Sequence, residues 1–327
     1  MRVLKFGGTS VADAARLAQV AQLVAAAARE ESVLVVVSAQ AGVTDRLVWA
    51  AEAAAAGDRE KFSIEALRGE LGVRHLGALE ALRLPRQEHG PLERRVADEL
   101  HRRLMALTDD LREEAARRSS APERWARILA TGERLNAPLA AAALVAAGLP
   151  ARAIDAATVL RTSGPCLDAE PDVEASRQPL RELLASLPPG TIPVFTGFLG
   201  ADSAGRTTLL GRGGSDTSAT ALAAAAGASR VEIWTDVDGV MTADPRRDPD
   251  AVLLPWLSYE EAYELAARGA KVLHPKAVEP AKEAGIPILV RNTFAPHRSG
   301  TTITSAAALR VASASPPGAQ RTARKVA

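Results

Sequence analysis

The chain has 327 residues, 47% of them hydrophobic but only 3% aromatic, and its 40 Lys and Arg nearly cancel 39 Asp and Glu for a net charge of +1. That length suits one large α/β domain or two lobes, and charges so evenly interspersed argue against a nucleic-acid or membrane partner. The single cysteine, Cys166, excludes an internal disulfide and fits a reducing cytoplasm; no secretory leader is read at the start, and no apolar run is long and pure enough to span a bilayer.

Residues 1–4 read as a strand and 12–29 as a helix. Between them stands Lys5-Phe6-Gly7-Gly8-Thr9-Ser10. Glycines in a strand-to-helix turn let backbone N–H groups approach an anion, the helix N-terminus adds partial positive charge, and Lys5 adds a full one. Residues 33–37, Val-Leu-Val-Val-Val, are short and almost all β-branched, which predicts a strand buried on both faces. Strand, helix, strand implies a parallel pair with a right-handed crossover. The next turn, Ser38 to Thr44, lies beyond a strand's carboxyl end, where ligands of open α/β sheets sit. Ser38 and Thr44 are thus candidate hydroxyls for a substrate, or Thr44 simply caps a helix.

Residues 50–118 are rich in Ala, Leu, Glu and Arg and read as a helical insertion, broken near 69–77 and 85–91, with 112–118 as a solvated face. Residues 130–147 form another helix, with Thr131 as its N-cap, Gly148 as its stop and Pro138 as a kink. Glu133 then falls in the first turn, where it either meets the helix dipole or binds an ammonium group. Strands are expected at 151–155, 192–195, 231–235, 286–291 and 301–304, and helices at 219–226 and 258–268. Alternation of this kind predicts a mainly parallel sheet covered on both faces.

A second glycine cluster, Gly211-Arg212-Gly213-Gly214-Ser215-Asp216, precedes the 219–226 helix, so the chain offers two grips on a polyphosphate. Trp234-Thr235-Asp236-Val237-Asp238-Gly239 puts two acids at a strand end, followed by Asp244-Pro245-Arg246-Arg247. Acids there can orient Mg²⁺ or a ribose, and Arg can pair with phosphate; a plain turn is the alternative. Lys271, in Gly269-Ala270-Lys271-Val272-Leu273-His274-Pro275, is either a second phosphate lysine or a helix C-terminal charge. His274 reads as structural. Five scattered His and one Cys make no metal-ligand pattern.

The segments KFGGTSVA, VVSAQAGVT, TGERL, LLGRGGSDTSA, EIWTDVDGVMTADPR and GAKVLHPKAV occur in this order across residues 5–278. Together they resemble the amino-acid kinase family, in particular its aspartate kinase branch and the aspartokinase portion of bifunctional aspartokinase–homoserine dehydrogenases. The resemblance implies an amino-acid kinase fold in residues 1–305, with an aspartate-binding lobe to about 195 and an ATP-binding lobe from about 196. Residues 306–327 are expected to be a disordered tail, and no ACT regulatory domain is expected. Lys5, Gly7 and Gly8 would contact the transferring phosphoryl group. Ser38, Thr44 and Glu133 would hold L-aspartate, with Glu133 on its ammonium. Gly213, Gly214, Ser215 and Asp216 would line the phosphate site, and Thr235, Asp236, Met241, Arg246 and Lys271 would bind ATP. Lys5, Gly8, Asp216 and Lys271 are the expected catalytic set. Mg²⁺ would be held mainly by the nucleotide's phosphates.

The resemblance leaves room for a homodimer through the kinase core and for a separate regulatory chain. Some aspartokinases carry an Arg near 166–172 on the substrate α-carboxylate; here the stretch is Cys-Leu-Asp-Ala-Glu-Pro-Asp, without a cation. The chemistry agrees with the resemblance: a β-carboxylate with a pKa near 3.9 is ionised at pH 7 and needs no general base, and the chain presents no His-based dyad. What two meeting anions need is neutralising charge and alignment.

Overall fold

The computed structural model describes residues 1–57, 62–82, 84, 86–118, 120–242, 248, 250–267 and 273–308. Its first strand, β1 (Arg2–Phe6), is buried at every position. Side chains alternate between faces along a strand. Arg2, Leu4 and Phe6 therefore share one face, and Val3 and Lys5 share the other. A 3-10 turn leads to α1 (Ala14–Ala28), capped by the Asp13 carboxylate accepting from the Arg16 N–H at 2.8 Å. Then come β2 (Val33–Val37), α2 (Val43–Ala56), α3 (Ile64–Ala81), α4 (Arg86–Arg117) and α5 (Pro122–Ala146). After them run β3 (Ala151–Ile154), β4 (Arg161–Ser163), β5 (Glu170–Asp172), α6 (Val173–Ser186), β6 (Ile192–Thr196), β7 (Leu199–Ala201) and β8 (Thr207–Leu209). The last third holds α7 (Gly214–Ala226), β9 (Arg230–Thr235), β10 (Trp256–Ser258), α8 (Tyr259–Ala267), α9 (Pro275–Glu283), β11 (Ile288–Asn292) and β12 (Thr301–Thr304).

Eight strands form one sheet in the order β10-β12-β11-β9-β1-β2-β6-β3. All its pairs are parallel except β11 with β12. β1 lies at its centre, with Leu4 opposite Val35 on one side and Glu232 on the other. Helix α7 packs against β1, β2 and β9, and α5 packs against β2, β6 and β3. The expected mainly parallel, helix-flanked α/β fold is therefore present, and the sheet runs unbroken past residue 195. A second sheet, β5-β4-β7-β8, contacts both α5 and α7.

Several local expectations need correcting. Lys5 belongs to β1 and not to the turn, because its neighbours on both sides keep the ladder going as far as Phe6. Helix α3 runs without a break through residues 69–77. Leu67, Leu71, Ala78 and Leu79 bury its face against the other helices, and that packing outweighs the cost of its glycines. Pro91 lies inside α4 rather than ending a helix. Helix α5 starts at Pro122, so Thr131 is no N-cap: its hydroxyl donates to the Arg127 carbonyl at 3.0 Å, deep in the helix. Thr44 does not cap α2 either, since Gly42 holds the N-cap position. The stretch 309–327, most of the expected tail, lies outside the described residues.

Leu4, 1% exposed in the central strand, tests the dependence of the fold on this sheet. Leu4→Ala should cost about 2–5 kcal/mol and lower the midpoint of thermal unfolding, measured by circular dichroism.

Candidate active site

Four parallel strands end at one edge of the main sheet, and backbone hydrogen bonds stitch the turns that follow. The Gly7 N–H donates to the Trp234 carbonyl at 3.0 Å, Ser38 to Phe6 at 3.1 Å, and Gly197 to Val37 at 2.9 Å. This is the carboxyl edge of β1, β2, β6 and β9, where open α/β sheets bind ligands. The two turns after β1 and β2 touch directly. The Ala41 N–H donates to the Gly8 carbonyl at 3.1 Å, and a Cβ on residue 8 would sit 2.8 Å from the Ala39 oxygen. Only glycine allows that approach.

Lys5 projects from β1 toward α7. Its Nζ forms an ion pair with Asp216 Oδ1 at 2.6 Å, with only 9% and 13% of the two side chains exposed. Asp216 stands in the first turn of α7, where the helix dipole favours a carboxylate. Gly213, the N-cap, has φ +69, and a Cβ there would meet the His274 Cβ at 2.2 Å. His274 in turn caps α9, its Nδ1 accepting from the Lys276 N–H at 3.3 Å. Gly213, Gly214, Ser215 and Asp216 thus form the start of α7, beside Lys5 and Gly7.

Glu133 comes from the middle of α5 and is buried. Its Oε1 accepts from the Ala39 N–H at 3.0 Å, while its Oε2 is buried without a hydrogen-bond partner. Desolvation pushes its carboxyl up to about 7; the Ala39 N–H and the Lys5 charge pull the other way. The helix-dipole explanation for Glu133 falls with the corrected start of α5.

Asn136, one turn on, completes the arrangement. Its Nδ2 donates to the Ser38 carbonyl at 2.6 Å, which leaves Oδ1 buried and unpartnered. The Ser38 carbonyl and the Ala39 N–H belong to one peptide group, so α5 grips both poles of the 38–39 peptide. Sequence reasoning missed Asn136, although its spacing of three from Glu133 puts both on one helix face. Ser38 and Thr44 are half-buried at the two ends of this turn.

On the neighbouring strand end, Thr235 is half-buried and Asp236 exposed, joined by a 3.2 Å hydrogen bond. Asp238 is committed elsewhere: it accepts from Asn292 Nδ2 at 2.7 Å and pairs with Arg298. Met241 makes an isolated antiparallel bridge with Leu253 in the loop beyond β9. Arg246 and Lys271 lie outside the described residues. Lys5, Gly7, Gly8, Ser38, Glu133 and the start of α7 are therefore brought together, with Thr235 and Asp236 on the same sheet edge.

A lysine near the end of the central strand, a helix start carrying a carboxylate and a buried acid thus meet on one sheet edge. The chain belongs to the amino acid kinase family, which it matches over residues 1–292. Within that family it is 37% identical to the bifunctional aspartokinase/homoserine dehydrogenase of Haemophilus influenzae over 93% of this chain, and 37% identical to lysine-sensitive aspartokinase 3 of Escherichia coli over 92%. Its fold matches that of E. coli aspartokinase III in complex with aspartate and ADP, with a TM-score of 0.81 at 36% identity, covering 93% of this chain and 64% of that one. Clostridium acetobutylicum aspartate kinase gives a TM-score of 0.73 at 26% identity, with coverage of 94% and 64%. The chain spans 36% of the length of the bifunctional relative and 63% of the E. coli one.

The raised Glu133 carboxyl makes a prediction with a definite sign. An acid whose pKa is higher folded than unfolded costs stability as pH rises from its unfolded value near 4.5 to about 7. Gln keeps the acceptor for the Ala39 N–H and cannot ionise. The thermal midpoint of ligand-free Glu133→Gln, relative to the unsubstituted protein, should therefore climb between pH 5 and pH 8. A difference independent of pH would contradict the burial assignment.

Proposed function

We propose that this chain transfers the γ-phosphoryl group of ATP to the β-carboxylate of L-aspartate, giving 4-phospho-L-aspartate. The observation that carries the proposal is the Lys5–Asp216 pair, 2.6 Å apart, at the junction of the two glycine turns and close enough to Glu133 for its charge to act there. The likeness to E. coli aspartokinase III, whose structure holds aspartate and ADP, supports both substrates.

The chemistry follows from charge. The acceptor carboxylate is already ionised and attacks without a base, so the protein's task is to bring two anions together and hold them in line. The Lys5 ammonium acts on charge that shifts as the phosphoryl group moves. Gly7, Gly8 and the α7 start contact the phosphates, Gly8 and the α7 start through backbone N–H groups and Gly7 by close packing, its own N–H being spent on the Trp234 carbonyl. Glu133 Oε2 and the hydroxyls of Ser38 and Thr44 hold the amino acid, the carboxylate being returned to its ionised form by the incoming ammonium. Thr235, Asp236, Met241, Arg246 and Lys271 bind the nucleotide. In this reading residues to about 195 bind aspartate and those from about 196 to 305 bind ATP.

Mg²⁺ belongs to the proposal. Among the described residues no group of three or more His, Cys, Asp or Glu could hold a metal. In this reading the ion would arrive on the nucleotide's phosphates, and the carboxylates Asp216 and Asp236 would complete its shell through water. When bound, the ion neutralises phosphate charge. No helix among the described residues is long and apolar enough to cross a membrane, and a cytoplasmic setting is part of the same proposal.

Hydroxylamine converts an acyl phosphate to a hydroxamate, so incubation with ATP, Mg²⁺ and L-aspartate should yield aspartyl hydroxamate together with ADP. ADP release only with another acid would move the assignment to that acid.

Lys5→Ala should lower kcat about a hundredfold, equivalent to about 3 kcal/mol, with a far smaller change in the KM for aspartate. Steady-state kinetics distinguish this from a binding role, in which the KM would carry the loss. Glu133→Ala should show the opposite bias.

A further inference from the structure

The helical insertion between β2 and α5 has no part in the chemistry described so far, yet one of its side chains reaches the acceptor turn. Arg74, half-buried on α3, donates from Nε to Gln40 Oε1 at 2.7 Å and from Nη2 to the Ala41 carbonyl at 2.8 Å. These are two adjoining donors of one planar fork, spent on two consecutive residues. Gln40 is 1% exposed, and its Nε2 has no hydrogen-bond partner. An amide that turns its oxygen to a cation while its buried NH₂ stays unpartnered is oriented by that cation and not by its own donors. Ala41 then passes the constraint on, its N–H donating to the Gly8 carbonyl at 3.1 Å.

We propose that Arg74 is a positioning residue for phosphoryl transfer. Through Gln40 and Ala41 it fixes the 38–44 turn against the Gly7–Gly8 turn and so sets the acceptor's place relative to the donor phosphate. The turn has two supports. Helix α5 holds its first peptide through Glu133 and Asn136, and α3 holds its middle through Arg74. The 38–41 stretch is not part of a helix or strand, so beyond a few backbone hydrogen bonds its shape depends on these side chains. Loss of the Arg74 fork leaves the first support intact and lets the Ser38–Thr44 spacing vary. The inference rests on the acceptor-site reading above.

The experiment has two arms, using Arg74→Met and Arg74→Lys in the full chain. The first needs no turnover: hydrogen exchange of the backbone amides of residues 38–44, followed by mass spectrometry. Exchange in this segment should quicken about tenfold in Arg74→Met while the amides of β1 and β9 keep their protection. The second is kinetic, with whichever acid the unsubstituted protein phosphorylates. The KM for the acceptor should rise about tenfold in Arg74→Met, with a smaller fall in kcat and no change in the KM for ATP. Arg74→Lys keeps the charge but not the fork and should recover little of either effect. In a double-mutant cycle, Gln40→Met should add little to Arg74→Met. Unchanged exchange at 38–44 would overturn the proposal. So would looser exchange with an unaltered acceptor KM, equal rises in both KM values, or full recovery with Lys. If aspartate is not the acceptor the hydroxamate assay alone fails, and the exchange arm still decides the role of Arg74.

Discussion

The site depends on one ammonium group placed where a strand ends. Lys5 lies in the most central strand of an eight-stranded sheet, with nearly all of its side chain out of water. A cation so enclosed persists only with compensating charge. Asp216 gives it a direct ion pair from α7, and the Glu133 carboxyl on α5 lies close enough to feel its charge. These two acids come from helices α7 and α5, far apart in the chain, so folding the sheet is what assembles the charge pattern. A surface lysine on a loop would have neither the fixed position nor the strengthened field that low dielectric gives.

How legible this was in the sequence varies with the physics behind each piece. The β-branched run 33–37 and the glycine turns were readable because local stereochemistry decides them. Helix α5 was not. Its start at Pro122 is an N1 proline preceded by Ala121, which makes no side-chain cap, so the polar Thr131-Gly132 pair inside it looked like the beginning. The small β5-β4-β7-β8 sheet also went unseen, its strands being three residues each and too short for any periodicity. Asn136 was within reach of helical spacing. Arg74 was not, because nothing local in α3 says that its guanidinium meets a turn 33 residues earlier.

At the opposite end of β1 the same kind of charge is handled differently. Arg2 bonds to Glu30, to Glu31 at 3.1 Å and to buried Glu232 at 3.2 Å, and Arg230 adds contacts to Glu31 and Glu232 at 3.1 and 3.0 Å. Every carboxylate there has a cation of its own chain. The network closes on itself and holds the amino ends of β1 and β9 in register with the turn before β2. Desolvation consumes much of the attraction in such a partly buried cluster.

The carboxyl edge is left open by comparison. Glu133 Oε2, Asn136 Oδ1 and Gln40 Nε2 are buried polar atoms without partners, and all three side chains bond to, or belong to, the turn at 38–41. Each unsatisfied atom costs about 1–3 kcal/mol in the absence of a ligand or water. The charges at one end of β1 are satisfied, and a group of unmet donors and acceptors lies at the other, where a polar ligand would satisfy them. Two of the unmet atoms are oxygens, Asn136 Oδ1 and one belonging to the Glu133 carboxyl itself, whose pKa burial has raised to about 7. Under the proposed function an ammonium-bearing ligand would both satisfy that oxygen and restore the charge on Glu133. In that reading binding and ionisation would be coupled, which would favour an amino acid over a plain dicarboxylate of the same length.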